Sequence, residues 1–212
     1  VKTSDLIATL ATDHAAPDRA FAARTAWAFI VGAAVSAALF FATIGPRPDA
    51  MAALHTMRFD MKFADALTLG APSLLLCLRL LRPDARAGAL GYWLALPVLL
   101  LVGAIAMELV MVPPDLWLRR LIGSNALHCL TIIPILSIAP LAALIATMRR
   151  GAPMQPRIAG ALAGLASGAL AALLYASNCP DDSPLFVASW YSIAILFVAL
   201  VGAAAGDRFL RW

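Results

Sequence analysis

Charge is scarce in this chain. Only 13% of its 212 residues are Asp, Glu, Lys or Arg, roughly half the share of an average soluble domain. Hydrophobic residues reach 62% and the mean hydropathy is +0.86. That excess cannot be solvated by water and excludes an ordinary soluble domain. Histidine and cysteine are limited to three residues each. They do not supply four ligands at a recognisable spacing, which excludes a closed zinc centre. There is no Ser/His/Asp arrangement, no His-Glu-x-x-His and no phosphate loop, so neither an enzyme nor a resident cofactor is expected. The basic residues are not interleaved with aromatics, which argues against direct nucleic acid binding. Strands of alternating period are absent, and helices are then the only spanning option.

What the chain does have is six apolar runs, at about 26–44, 59–81, 90–112, 126–148, 158–176 and 185–205. Each matches the roughly 20 residues that a bilayer core demands. Gly45-Pro46, Arg82-Pro83, Pro113-Pro114 and Arg149-Arg150 punctuate them. The expected fold is all-α: a polytopic membrane protein built as a six-helix bundle, with the bilayer as its solvent. Residues 1–25 form a cytoplasmic docking segment with a short helix, and 26–212 form the transmembrane domain. The first run is not expected to be a signal peptide, because its leader is long and carries Asp5, Asp13 and Asp18.

Basic residues orient the bundle. With the N-terminus inside, the inner segments hold Lys2, Arg19, Arg24, Arg79, Arg82, Arg86, Arg149, Arg150, Arg157, Arg208 and Arg211. The outer segments hold only Arg47, Arg58, Lys62, Arg119 and Arg120. The positive-inside rule then expects both termini in the cytoplasm. Asp65 and Glu108 are expected near the outer ends of their spans, too shallow for an ion path. That argues against the alternative reading, a small transporter or channel accessory. A purely structural membrane protein is the third class.

Small residues recur every fourth position: Gly160, Gly164 and Gly168 in span five, Gly202 and Gly206 in span six. Such stripes let helices approach closely. They predict packing of spans five and six as a hairpin, with a homodimer face as the alternative use. Pro72, Pro97, Pro134 and Pro140 fall within spans, where each removes a backbone donor. Residues 113–122 read as a short helix on the bilayer surface, with Trp117 at headgroup level. Met51, His55, Met57 and Met61 are read as packing residues, with a soft-metal site as the sharper alternative.

Of the three cysteines, Cys77 lies near the inner end of span two. Cys129 opens span four, and Cys179 lies in the last outer loop. Two thiols therefore share the oxidising side. They are free to form a disulfide, to bind a soft metal ion or to sit apart. His128 is positioned in sequence to add an imidazole, and Asp181 and Asp182 to concentrate cations. In the tail, Thr3, Ser4 and Asp5 suit a helix start, and Leu6, Ile7 and Leu10 share one face. Such a helix without a domain of its own suits a docking peptide. A second helix starting near Pro17 and running into span one would present Arg19, Phe21 and Arg24 below the membrane.

The opening segment 2–13 (KTSDLIATLATD), the six spans, and the pair Cys129 and Cys179 resemble the NrsF-type bacterial membrane anti-sigma factors. The resemblance extends over essentially the whole chain. It implies that an extracytoplasmic-function sigma factor is held inactive at the cytoplasmic face of the inner membrane, with Leu6, Ile7 and Leu10 in the binding region. It also implies that Cys129 and Cys179 sense heavy-metal or oxidative stress, with a transient metal ion at the pair. The tail departs from other anti-sigma factors in lacking their His-x-x-x-Cys-x-x-Cys zinc pattern.

Overall fold

The computed structural model describes residues 3, 5, 17–81, 87–151 and 153–211, with side chains from residue 21 onward in the first helix. Leu6, Ile7 and Leu10 lie outside the described residues. Six helices are long and apolar enough to cross a membrane. They contain α1 (Pro17–Thr43), α2 (Met57–Arg79), α3 (Ala95–Met111), α4 (Ala126–Met148), α5 (Pro156–Ala176) and α6 (Ser192–Phe209). Among the described residues there is no strand. The protein is all-α and polytopic. One end of the bundle, the terminal end, holds the start of α1 and the last turn of α6. The other, the cysteine end, holds the loop 177–183 between α5 and α6.

Helix α5 is the centre, packed against α2, α4 and α6. Its composition explains this. Alanine and glycine dominate its buried surface, so three neighbours can approach its backbone at once. A Cβ at Gly160 would collide with the Gly202 carbonyl, and one at Gly164 with the Val198 carbonyl. Gly202 and Gly206 face the backbones of Gly160 and Pro156 in return, and Gly168 lies against Ile195. Both stripes are thus consumed within one chain. A homodimer built on the same glycines would first have to separate α5 from α6.

Helix α1 packs on α4. Gly32 sits where an added Cβ would lie 2.6 Å from Pro140 Cα, and one turn on the Ser36 hydroxyl reaches the Leu136 carbonyl. The span that contains α3 is the least buried of the six. It packs mainly on α2 and on the helical turn Pro184–Phe186 that leads into α6.

Several boundaries differ from the apolar runs. Span three begins as a 3-10 stretch, Gly88–Leu94, and turns α-helical only at Ala95. Pro97 therefore falls in the first turn of α3, where its missing N–H costs little, and not in mid-span. Span six contains a π-helical stretch, Val187–Tyr191, before α6 proper. It continues to Phe209, its last turn supported by the Asp207–Arg211 ion pair. Lys62 is not a loop charge. It is inside α2 and only 2% exposed. Asp65 is eight residues from the start of α2, about 12 Å along the helix.

Two buried apolar clusters divide the interior. At the cysteine end, Phe40, Cys129, Ile133, Tyr175, Cys179 and Phe186 are among those packed together. At the terminal end, Leu76, Cys77, Leu144, Met148 and Val198 form the other. Cys77 Sγ lies 3.6 Å from Met148 Sδ there.

Candidate functional site

Cys129 is the fourth residue of α4, and Cys179 lies in the loop just beyond α5. The fold brings the two thiols into side-chain hydrogen-bond contact. Both are free thiols in this structure and fully buried. Two tyrosines close the pocket around them: Tyr175 from the last turn of α5 and Tyr191 from the π-helical stretch. Tyr191 Oη is buried and has no oxygen or nitrogen partner.

The Cys179 thiol is held below its ordinary value, down to about 7. The chief cause is the hydrogen bond it accepts from Cys129. The Lys62 ammonium and a backbone N–H at Asp181 add to it, and burial opposes it. The shift favours the thiolate, which is the reactive form.

The loop that carries Cys179 is tied to every other part of this end. Lys62 Nζ donates to the Cys179 carbonyl at 2.9 Å and pairs with Asp182 at 2.6 Å. Arg47, from the turn after α1, also donates to the Cys179 carbonyl (3.3 Å) and pairs with Asp182 at 3.1 Å. The Arg47 amide donates to the Ser177 carbonyl, and Asn178 donates to the Gly45 carbonyl. From α3, the buried Glu108 accepts from Ser183 at 2.7 Å and from the Leu185 amide at 3.3 Å. Its other oxygen accepts from Arg120, in the short helix Trp117–Ile122, at 2.8 Å.

Asp181 closes the last gap. Its carboxylate accepts from the amides of Ser124 and Asn125 at 3.0 and 2.9 Å. These are amides entering α4, which have no intrahelical acceptor. The loop bearing one thiol therefore fixes the start of the helix bearing the other. Gly123 makes the close approach: its φ is +58°, and a Cβ there would strike the Phe186 ring.

The structure places the remaining expected residues as follows. His128 is exposed while its neighbour Cys129 is buried, because successive helical residues point about 100° apart; it does not join the thiols. Asp182 is engaged by Lys62 and Arg47, and Asp181 by the amides before α4, so neither is free to gather cations. Met57 and Met61 border a groove together with Met107 and Met111, while Met51 and His55 do not border it.

Arg47, Lys62, Glu108, Tyr175 and Tyr191 were not singled out from the sequence as site residues. The signal for two of them was a charge inside an apolar run. Beside the site, a cavity of about 210 Å³ is bordered by Lys62, Asp65 and Tyr191. Asp65 Oδ1 is buried and without a partner. Among the described residues, no three His, Cys, Asp or Glu side chains are placed to hold a metal. The donor set at the pair is two thiols. That set fits disulfide closure or bridging by one soft cation, and not a four-ligand site.

A family model described as negative regulator of sigma F, NrsF, matches residues 10–212. A protein of Azospira oryzae named probable anti-sigma-F factor NrsF is 36% identical over 213 residues, covering 100% of both chains. The anti-sigma-F factor NrsF of Caulobacter vibrioides is 31% identical over 219 residues, again covering 100% of both. No solved structure matches.

Proposed function

The chain belongs to the NrsF family of negative regulators of sigma F, and we propose that it is a multi-pass inner-membrane anti-sigma factor that releases its partner when Cys129 and Cys179 react. Its relatives are named as regulatory factors and not as enzymes. In this reading the cysteine end faces outward. The terminal end, with the segment 1–25, holds an extracytoplasmic-function sigma factor in the cytoplasm.

One observation carries the sensing part. Two thiols from different elements meet at the point where the turn after α1, α2, α3 and the entry to α4 all grip one loop. Any change in their separation is transmitted to that whole end. Oxidation would join the two sulfurs with loss of two protons and two electrons to an extracellular oxidant such as a peroxide, which is reduced to water. A soft cation would instead displace the two thiol protons and bridge the sulfurs. Either product differs in geometry from the hydrogen-bonded pair, and a signal must act differently on two states to shift them.

Two experiments test this reading. Phosphatase and fluorescent-protein fusions at Asp49, Asp84, Asp115, Gly151 and Asp182 should alternate outside and inside, beginning outside; two adjacent fusions on one side would overturn the topology. Purification of the solubilised protein should bring down a sigma factor from untreated cells and lose it after oxidant or heavy metal. Leu6→Asp or Leu10→Asp should abolish that capture while membrane levels stay normal. A charge on the docking face must be desolvated at a cost of several kcal/mol. Capture that persists in both variants would exclude the tail as the docking element.

A further inference from the structure

Two cavities meet at Arg58. One is a polar basin of about 600 Å³ at the cysteine end, bordered by Arg58, Arg119, Arg120 and the loop 180–183. The other is an apolar groove of about 540 Å³ between α2 and α3, bordered by Met57, Met61, Leu99, Gly103, Met107 and Met111. Arg58 lines both.

The charges in the basin are unequally satisfied. Asp181 is taken by Ser124 and Asn125, and Asp182 by Lys62 and Arg47. Arg120 is taken by Glu108. Among the described residues, Arg58 and Arg119 have no carboxylate within ion-pair distance. Both are exposed. The basin therefore presents two exposed guanidinium groups without a direct ion pair, Arg58 acting on Glu108 only at longer range, and guanidinium is the side chain best matched to a phosphate.

The groove has a matching length. From Met111 to Leu99 is twelve helical residues, about 18 Å at 1.5 Å per residue. One leaflet of the hydrocarbon core is about 15 Å deep. Small residues form its floor: a Cβ added at Gly103 would meet nothing within 4 Å. The methionines on its two walls are flexible and polarizable, suited to an irregular apolar chain.

We propose that this composite site binds one anionic phospholipid of the leaflet at the cysteine end. The phosphate sits on Arg58 and Arg119, and one acyl chain lies along the methionine-walled groove. The headgroup then rests against the loop 180–183, directly beyond Cys179. The proposal does not depend on the sensing role of the thiols or on which side of the membrane this end faces.

The test is native mass spectrometry of the full chain, released from nanodiscs containing equal phosphatidylglycerol and phosphatidylcholine with identical chains. The wild type should retain phosphatidylglycerol in preference. Arg58→Gln with Arg119→Gln should reduce that preference roughly tenfold or more, since each basic residue near an anionic lipid contributes about 1 kcal/mol. Gly103→Leu, which fills the groove, should lower retention of both lipids with unchanged thermal unfolding. Inorganic phosphate at millimolar concentration should not displace the lipid. Equal retention of the two lipids by the wild type would overturn the proposal. So would undiminished retention in Gly103→Leu, or full displacement by phosphate, which would leave a simple anion site.

Discussion

The Ser36 hydroxyl donates to the Leu136 carbonyl oxygen at 2.6 Å, and that carbonyl is the one whose helical amide is missing because residue 140 is proline. Helix α1 thus supplies the donor that α4 lacks, at the level where Gly32 lets the two backbones touch. A buried carbonyl left without a partner costs about 1–3 kcal/mol. Ser36→Ala should therefore destabilise the solubilised protein by that order. In a Pro140→Ala background the helix regains its own amide, and the same change should cost distinctly less. Thermal unfolding of the four variants in one detergent measures the coupling. Additive losses would mean that the hydroxyl does not compensate the proline.

Gly164 and Gly103 offer a contrast at matched chemistry. A side chain at Gly164 would press on the Val198 carbonyl and Ala199 Cα, whereas one at Gly103 meets open space. Gly164→Val should lower stability by more than about 2 kcal/mol through overpacking, and Gly103→Val should stay within about 1 kcal/mol. Unfolding temperatures, or protease resistance in membranes, separate the two. A tolerant Gly164 would show that α5 and α6 can move apart cheaply.

Single substitutions at the thiol pair should behave as one lesion. Cys129→Ser and Cys179→Ser should each abolish the response of a sigma-dependent reporter to oxidant or heavy metal, and the double variant should be no worse, as expected of residues that act together. Cys77→Ser, which belongs to the terminal cluster beside Met148, should respond normally. A normal response in the double variant would remove the pair from the mechanism.

Protonation supplies an independent check. With Cys179 held down to about 7, its rate of oxidation by peroxide should rise between pH 6 and 8 and flatten above. An ordinary thiol would keep accelerating through pH 8.5. Lys62→Met removes a cation that favours the thiolate, so the midpoint should move upward. The sign for stability follows. The folded pKa is lowered, so ionisation of Cys179 adds stability above the ordinary thiol range, and that contribution is lost as the pH falls through about 7. A midpoint unmoved by Lys62→Met would exclude the ammonium as a cause.

Much of this architecture is legible in the residues. Apolar runs of bilayer length gave six spans, because a lipid-facing helix cannot disguise its composition. The paired glycines lie where α5 meets α6, because only that spacing makes a flat stripe. The start of span three was less legible: glycines and Pro97 divert it into a 3-10 stretch without lowering its hydropathy. The site was half legible. Cys129 and Cys179 stand out as thiols at one end of the spans. The contrast between His128 and Cys129 is invisible until the phase of α4 is known. The grip of Arg47, Lys62 and Glu108 on one loop joins residues more than seventy positions apart, and no local pattern encodes that.

The Lys62 anchor also has a consequence for the order of synthesis. Its ammonium is buried in α2, yet the acceptors it uses, the Cys179 carbonyl and Asp182, emerge from the ribosome more than a hundred residues later. At about 5–20 residues per second that interval is on the order of ten seconds. Throughout it the ammonium lacks its final acceptors, and its long stem lets it reach toward the headgroups. Its final carboxylate partner becomes available only when the α5–α6 hairpin arrives. A nascent chain that stalls before residue 177 would leave that lysine without the carbonyl and carboxylate that anchor it in the finished fold.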